Sequence, residues 1–180
     1  MPSLPQKLTR CHEALNSAGV AHAFGGAIAL AYWTQDPRGT SDLDLNVFVG
    51  LDRVEECLSA LPAKVTCDVA ARKELECEGQ ARLWWDETPI DIFLSTVELH
   101  ARAEANIRMV KFDKGTIPVV GPVELAAFKV LFNRTRDWAD LESMAEAGSL
   151  DAPEVAAALT GLVDEGDSRL QRLAEISDFR

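Results

Sequence analysis

Three aspartates set inside apolar runs constrain this chain more than any other feature. Asp42 and Asp44 alternate with Leu43 and Leu45, and the run continues through Val47, Phe48 and Val49. Much later, Asp91 stands between Ile90 and Ile92, ahead of Phe93 and Leu94. In a strand, residues i and i+2 share a face about 6.6 Å apart along the chain. Asp42 and Asp44 therefore point one way while Leu43 and Leu45 point into a core. A buried carboxylate in such a place needs a partner. Three carboxylates converging on one spot repel one another unless a divalent cation sits between them. Oxygen-only ligands suit Mg²⁺ or Mn²⁺ rather than zinc.

A second signal precedes them. Residues 20–24 read as a short strand, Gly25-Gly26 ends it, and residues 27–33 open a helix. Glycines at a strand-to-helix turn let backbone N–H groups approach a phosphate, and the helix N-terminus adds a favourable dipole. A tight turn alone also explains them. Ser41, at the end of the loop 37–41, either hydrogen-bonds a terminal phosphate or caps the loop.

The rest of the chain reads as one domain, or a domain with a helical annex. Its 180 residues suffice for a core, and 47% hydrophobic with 26% charged residues is ordinary for a globular protein. Apolar periodicity predicts helices over 4–18, 52–61 (capped by Asp52) and 97–104. Strands are expected over 42–49, 64–70, 82–85, 89–94, 109–112 and 117–119, with a turn near Gly79. From Pro122 the pattern is helical, broken at 148–149, 153 and 161–166. The expected class is α/β (α+β): a mixed sheet flanked by helices over about 1–120, and a helical segment over 121–180 packed on it.

The formal charge of −11 argues against a broad nucleic-acid surface, which needs clustered Lys and Arg. It leaves room for a small basic patch, a cationic substrate, a basic partner or a simply well-solvated surface. No apolar run reaches the roughly 18–20 residues of a membrane span, and the first residues lack the apolar stretch of a signal peptide. Cys11, Cys57, Cys67 and Cys77 form no CxxC pair, so reduced thiols and a cytoplasmic location are expected. His12, His22 and His100 have no triad-like context and are expected at the surface or an edge. In a regular strand, one of Trp84 and Trp85 must face away from the core.

Together, Gly25, Gly26, Ser41, Asp42, Asp44 and Asp91 resemble the nucleotidyltransferase superfamily typified by DNA polymerase β, in particular its minimal bacterial members. The likeness covers about residues 20–95. It implies a nucleoside triphosphate held over Gly25, Gly26 and Ser41, with Mg²⁺ or Mn²⁺ held by Asp42, Asp44 and Asp91. It also implies two-metal transfer of a nucleotide to an acceptor hydroxyl, with Asp91 as general base and pyrophosphate released.

The tail is similar to AbiEii-like toxin nucleotidyltransferases and to antibiotic-modifying relatives. The similarity rests on Lys129, Arg134, Arg136, Asp137 and Asp140. It implies that Lys129 meets the triphosphate; a snorkelling lysine is the alternative. Arg134, Arg136 and Asp140 read as a structural ion-pair cluster, and Asp137 either joins the site or caps a helix. The acceptor implied is a small molecule or a protein, with tRNA possible. The rival reading is a toxin-like interaction module held by an antitoxin partner, with little turnover of its own.

Overall fold

The computed structural model describes residues 1–178. In chain order the elements are α1 (Leu4–Ser17), β1 (His22–Phe24), α2 (Gly26–Thr34), β2 (Leu43–Val47) and, after a 3₁₀ turn at Leu51–Arg53, α3 (Val54–Ala60). Then come β3 (Val65–Thr66), α4 (Val69–Glu78), β4 (Gln80–Trp85), β5 (Thr88–Leu94) and α5 (Glu98–Ala105). The chain continues through β6 (Arg108–Phe112), β7 (Gly115–Val119), α6 (Pro122–Phe132), α7 (Thr135–Glu146), α8 (Ala152–Ala158) and α9 (Ser168–Asp178).

The strands form one mixed sheet in the order β3-β4-β5-β2-β1-β7-β6. β2 lies parallel to β5 and antiparallel to β1, and β1 lies parallel to β7. Alternation along the central strands decides which face is dry. Leu43, Leu45, Ile90, Ile92 and Leu94 are fully buried, while the residues between them look out from the opposite face. β4 repeats the rule: Ala81, Leu83 and Trp85 turn inward, and Gln80, Arg82 and Trp84 outward. The tryptophan pair therefore splits as strand geometry requires, Trp85 buried and Trp84 exposed.

The helices from Pro122 onward pack on the same core, which runs continuously from Leu8 and Phe24 to Leu125, Val130, Trp138 and Leu173. α2 is held against that segment and the sheet edge. The Trp33 indole donates to the Val120 carbonyl at 2.9 Å, and the Tyr32 hydroxyl donates to the Lys111 carbonyl at 2.6 Å.

The structure confirms the α/β (α+β) class, a mixed sheet flanked by helices. Locally it corrects several expectations. The strand expected over 64–70 shrinks to two residues, and a ten-residue helix takes its place from Val69. The cause is capping: the Asp68 carboxylate accepts the Ala71 N–H at 2.8 Å, and Gly79 ends the helix at φ +72°. Asp52 sits in the 3₁₀ turn rather than capping α3, and Pro153 opens α8 instead of breaking it. His22 and His100 are buried rather than peripheral. Each finds a backbone partner: the His22 ring meets the Val20 carbonyl at 2.8 Å, and His100 accepts backbone N–H groups at the start of α5. All four cysteines are free. No helix among the described residues is long and apolar enough to cross a membrane.

Candidate active site

The site is built where β1 ends. Phe24 leads into Gly25, whose N–H donates to the Asp44 carbonyl at 2.9 Å. Gly26 then starts α2 at φ +48°, a left-handed conformation that a side chain disfavours. Space forbids one as well, since a Cβ here would stand 1.7 Å from Asp44 Oδ2. The glycine turn and the carboxylate are thus packed against each other, with the opening N–H groups of α2 lacking intrahelical acceptors.

On the sheet, Asp44 faces Asp91 directly across the parallel β2–β5 pair. Asp42 lies two residues upstream of Asp44, at the mouth of β2. The structure therefore sets Asp91, far away in sequence, across from Asp44, with Asp42 two residues away at the mouth of β2. Burial pushes Asp44 up to about 6, with the negative charges of Asp42 and Asp91 adding to it; Lys129 and Arg136 pull the other way. Each carboxylate has its own neighbours. The Thr40 hydroxyl donates to Asp42 at 2.5 Å, and Arg82 grips both Asp91 oxygens, each at 2.7 Å.

That last grip matters for a metal. Among the described residues, no three His, Cys, Asp or Glu side chains stand close enough together to ligate one ion as they are placed. The donor set nevertheless fits a hard divalent cation: oxygen ligands only, on adjoining strands, with Asp44 raised by the two charges beside it. Ligation by all three requires Asp91 to let go of Arg82.

Facing the sheet is a wall of charge from the helical segment. Lys129, buried on α6, donates to Asp140 Oδ2 at 2.6 Å and lies 3.8 Å from Asp137 Oδ1. Arg38, from the loop before β2, forms a two-pronged pair with the same Asp140 at 2.6 and 3.0 Å. Asp137 accepts from both the guanidinium and the backbone N–H of Arg134, which makes it a helix-capping residue of α7. Burial on its own raises the Asp137 carboxyl, but Arg134 and Lys129 outweigh it and hold the group below the usual range. Arg136 is exposed and has no ion-pair partner among the described residues. The wall carries more cationic than anionic charge.

Between wall and sheet runs a cleft of about 660 Å³ whose lining includes Gly25, Gly26, Asp44, Asp91, Lys129 and Arg134. Ser41 and Asp42 lie outside it, in a shallow depression shared with Arg136. The lining also includes Phe93, Thr96, His100, Phe128 and Phe132, with Glu74 and Glu78, and the Arg134 guanidinium lies 4.9 Å over the Phe132 ring. Sequence reasoning missed Arg38, Arg82 and the α4 glutamates. Arg38 and Arg82 have no local signal, because their partners lie 102 and 9 residues away. The glutamates were hidden by misreading the start of α4.

Comparison with known proteins supports the fold. No protein-family model matches the chain. No curated protein sequence matches it either. Among solved structures, the antibiotic-resistance factor ANT(2'')-Ia aligns over 98% of this chain and 97% of its own, at 14% identity and a TM-score of 0.58. An antigenic nucleotidyltransferase-like protein from Paracoccidioides brasiliensis aligns over 95% of this chain and 92% of its own, at 16% identity and a TM-score of 0.48. The chain has the minimal nucleotidyltransferase fold.

Proposed function

We propose that this protein transfers a nucleoside monophosphate from a nucleoside triphosphate to a hydroxyl acceptor and releases pyrophosphate. The observation that carries the reading is Asp44 facing Asp91 in register, with Asp42 alongside and the α2 glycine turn packed against Asp44. The triphosphate would lie between the Gly25-Gly26 turn and the cationic wall of Lys129, Arg134 and Arg136, where N–H groups and cations neutralise its charge. Lys129 is not free for this role as it stands: Asp140 holds it, and a phosphate has to share it. Ser41 lies toward the outer depression, so a contact to the triphosphate would come from that side.

Asp42, Asp44 and Asp91 would hold Mg²⁺ or Mn²⁺, which would neutralise the phosphates and stabilise the leaving oxygen. Asp91, held by Arg82 as it stands, would accept the proton of the acceptor hydroxyl once Arg82 swings away. The hydroxyl oxygen bonds to the α-phosphorus, the bond from that phosphorus to the bridging oxygen breaks, and pyrophosphate departs with the electron pair. Holding both reactants in one cleft removes the entropic cost of their encounter.

The test is incubation with Mg²⁺ and each labelled nucleoside triphosphate, with pyrophosphate release followed in the presence of small hydroxylated acceptors, tRNA or the protein itself. Turnover by the wild type and its loss in Asp44→Ala are expected. Absence of nucleotide binding under any divalent metal would overturn the reading and favour the interaction module held by an antitoxin partner.

A further inference from the structure

We infer that His100 selects the base of the nucleoside triphosphate, its Nε2–H donating to N7 of a purine seated on the paired rings of Phe93 and Phe132. The inference rests on the transfer reaction proposed above for the presence of a nucleotide. The choice of base rests on the cleft itself.

Two rings continue the cationic wall into the cleft. The Arg134 guanidinium lies 4.9 Å over the Phe132 ring, and that ring meets Phe93 with centroids 5.9 Å apart. Phe132 is 43% exposed, so the pair offers an open apolar face in a cleft otherwise lined by many charged groups. Phe93 stands two residues beyond Asp91 on the same face of β5, about 6.6 Å along the strand. A triphosphate held at Arg134, with its α-phosphorus over the carboxylates, therefore brings its nucleoside onto this pair. Aromatic side chains hold a base by its π-face whatever its identity. Stacking supplies affinity, and selection needs a polar group.

His100 is that group. Phe128 lies one turn from Phe132 on α6, and the His100 ring meets it at 5.0 Å, so the histidine ends the same aromatic row. The residue is only 7% exposed. Its Nδ1 accepts the N–H groups of Thr96 and Val97, each at 3.4 Å, which leaves the hydrogen on Nε2. Burial lowers its affinity for a second proton, so the ring is neutral. Nε2 has no hydrogen-bond partner among the described residues. No fully enclosed side-chain nitrogen or oxygen among them is left without one, so Nε2 opens onto the cleft that His100 lines. The result is an uncharged donor fixed in direction and still unused.

An N–H donor of this kind selects a base by the acceptor it presents. N7 is the ring acceptor that adenine and guanine share, while cytosine shows only an amine donor on the corresponding edge. Uracil offers a carbonyl oxygen there, but its single ring covers less of a two-ring seat. The cleft of about 660 Å³ has room for a nucleotide with the larger base. His100 therefore favours purines over pyrimidines and does not separate adenine from guanine.

The test is calorimetry in Mg²⁺ with ATP, GTP, CTP, UTP and 7-deaza-ATP, in which carbon replaces N7. The wild type is expected to bind the purine nucleotides about tenfold tighter than the pyrimidine ones, and 7-deaza-ATP about fivefold more weakly than ATP, the loss of one hydrogen bond. In His100→Asn the carboxamide oxygen still accepts the backbone N–H groups, while the Nε2–H is gone. ATP and 7-deaza-ATP should then bind equally, and inorganic tripolyphosphate should bind as it does to the wild type. Equal binding of ATP and 7-deaza-ATP by the wild type would overturn the assignment, whether or not the variant folds. So would discrimination that persists in His100→Asn, or pyrimidine nucleotides bound as tightly as purine ones. Pyrophosphate release from all four nucleotides with equal kcat/KM would remove the base site and leave the transfer reaction standing. Binding that depends on N7, with no pyrophosphate released to any acceptor, would do the reverse. Absence of all nucleotide binding would remove both.

Discussion

The two walls of the cleft carry opposite kinds of charge, and they treat it differently. On the helical wall every buried charge has a partner: Lys129 with Asp140 and Asp137, Arg134 with Asp137, and Arg38 reaching across from its loop to Asp140. On the sheet wall Asp44 is half-buried beside two other carboxylates, and the sum of those effects lifts it to about 6. Charge on the helical wall is neutralised in pairs; on the sheet wall Asp91 has Arg82, while Asp44 carries an electrostatic cost of its own. Groups arranged at a cost to stability are the mark of a site that acts on something else.

The contrast breaks if removing a sheet-wall carboxylate harms folding as much as activity. Asp44→Asn is expected to cut nucleotidyl transfer by about 10³-fold, the scale of losing a central electrostatic group. The same change should raise the melting temperature by about 2–4 °C, as relief of about 1 kcal/mol does at this chain length. Kinetics and calorimetry on one preparation read both. A variant both inactive and markedly destabilised would erase the difference between the walls.

The opposite result is expected on the helical wall. Asp140→Ala leaves Lys129 buried with only the more distant Asp137 and releases Arg38, so denaturant unfolding should show a loss of about 3 kcal/mol. The pair can be dissected further. Lys129→Met combined with Asp140→Ala should cost less than the two single changes added together, since the double variant buries no orphaned charge. Strict additivity would mean that Lys129 and Asp140 do not act as a unit.

Gly26→Ala lies where the two effects meet. The positive φ and the near contact with Asp44 both oppose a methyl group, and a destabilisation of about 1–2 kcal/mol is expected, read from the same denaturation curves. Wild-type stability in this variant would mean that the turn is not held as described. Arg82→Gln should be milder. The pair it forms with Asp91 is half exposed on the arginine side, so stability should change by less than about 1 kcal/mol. Mn²⁺ binding followed by magnetic resonance should tighten several-fold, because Asp91 becomes available without displacing a guanidinium. Unchanged or weaker Mn²⁺ binding would show that Arg82 does not guard Asp91.

The smallest effect is a check on the core beneath both walls. Burial pushes the Cys11 and Cys57 thiols up to about 12, while Cys77 is exposed and Cys67 partly so. A thiol reagent should modify Cys77 first and Cys67 more slowly in the native protein, and reach Cys11 and Cys57 only after denaturation. Rapid reaction of all four would contradict the packing of α1 and α3.

How much of this was legible in the chain depended on whether the signal was local. The strand around Asp91 and the turn at Gly25-Gly26 follow from alternation and glycine placement, which near neighbours dictate. The helix α4 was also written locally, in Asp68 and Gly79, but the β-branched residues Val65, Thr66 and Val69 pulled the reading toward a strand. Its outcome hides in the fact that Val69 is 88% exposed: the residue has no core to join. The backbone partners of His22 and His100 lie within four residues, but the rings that cover them, His12 and Phe128, come from elsewhere in the chain.

The sequence by itself determined that three carboxylates are embedded in apolar strands, and that glycines precede them. Those constraints are carried by single residues and their immediate neighbours, and they were enough to indicate the fold. Tertiary structure alone decided who faces whom. It set Asp91 opposite Asp44, gave Asp91 to Arg82 and Lys129 to Asp140, and placed the glutamates of α4 in the lining of the same cleft. Sheet register and helix docking are settled by burial summed over the whole core, whereas an ion pair depends on angstroms at one point. Short-range patterns therefore foretell which residues need partners, and only the folded chain says which partners they get.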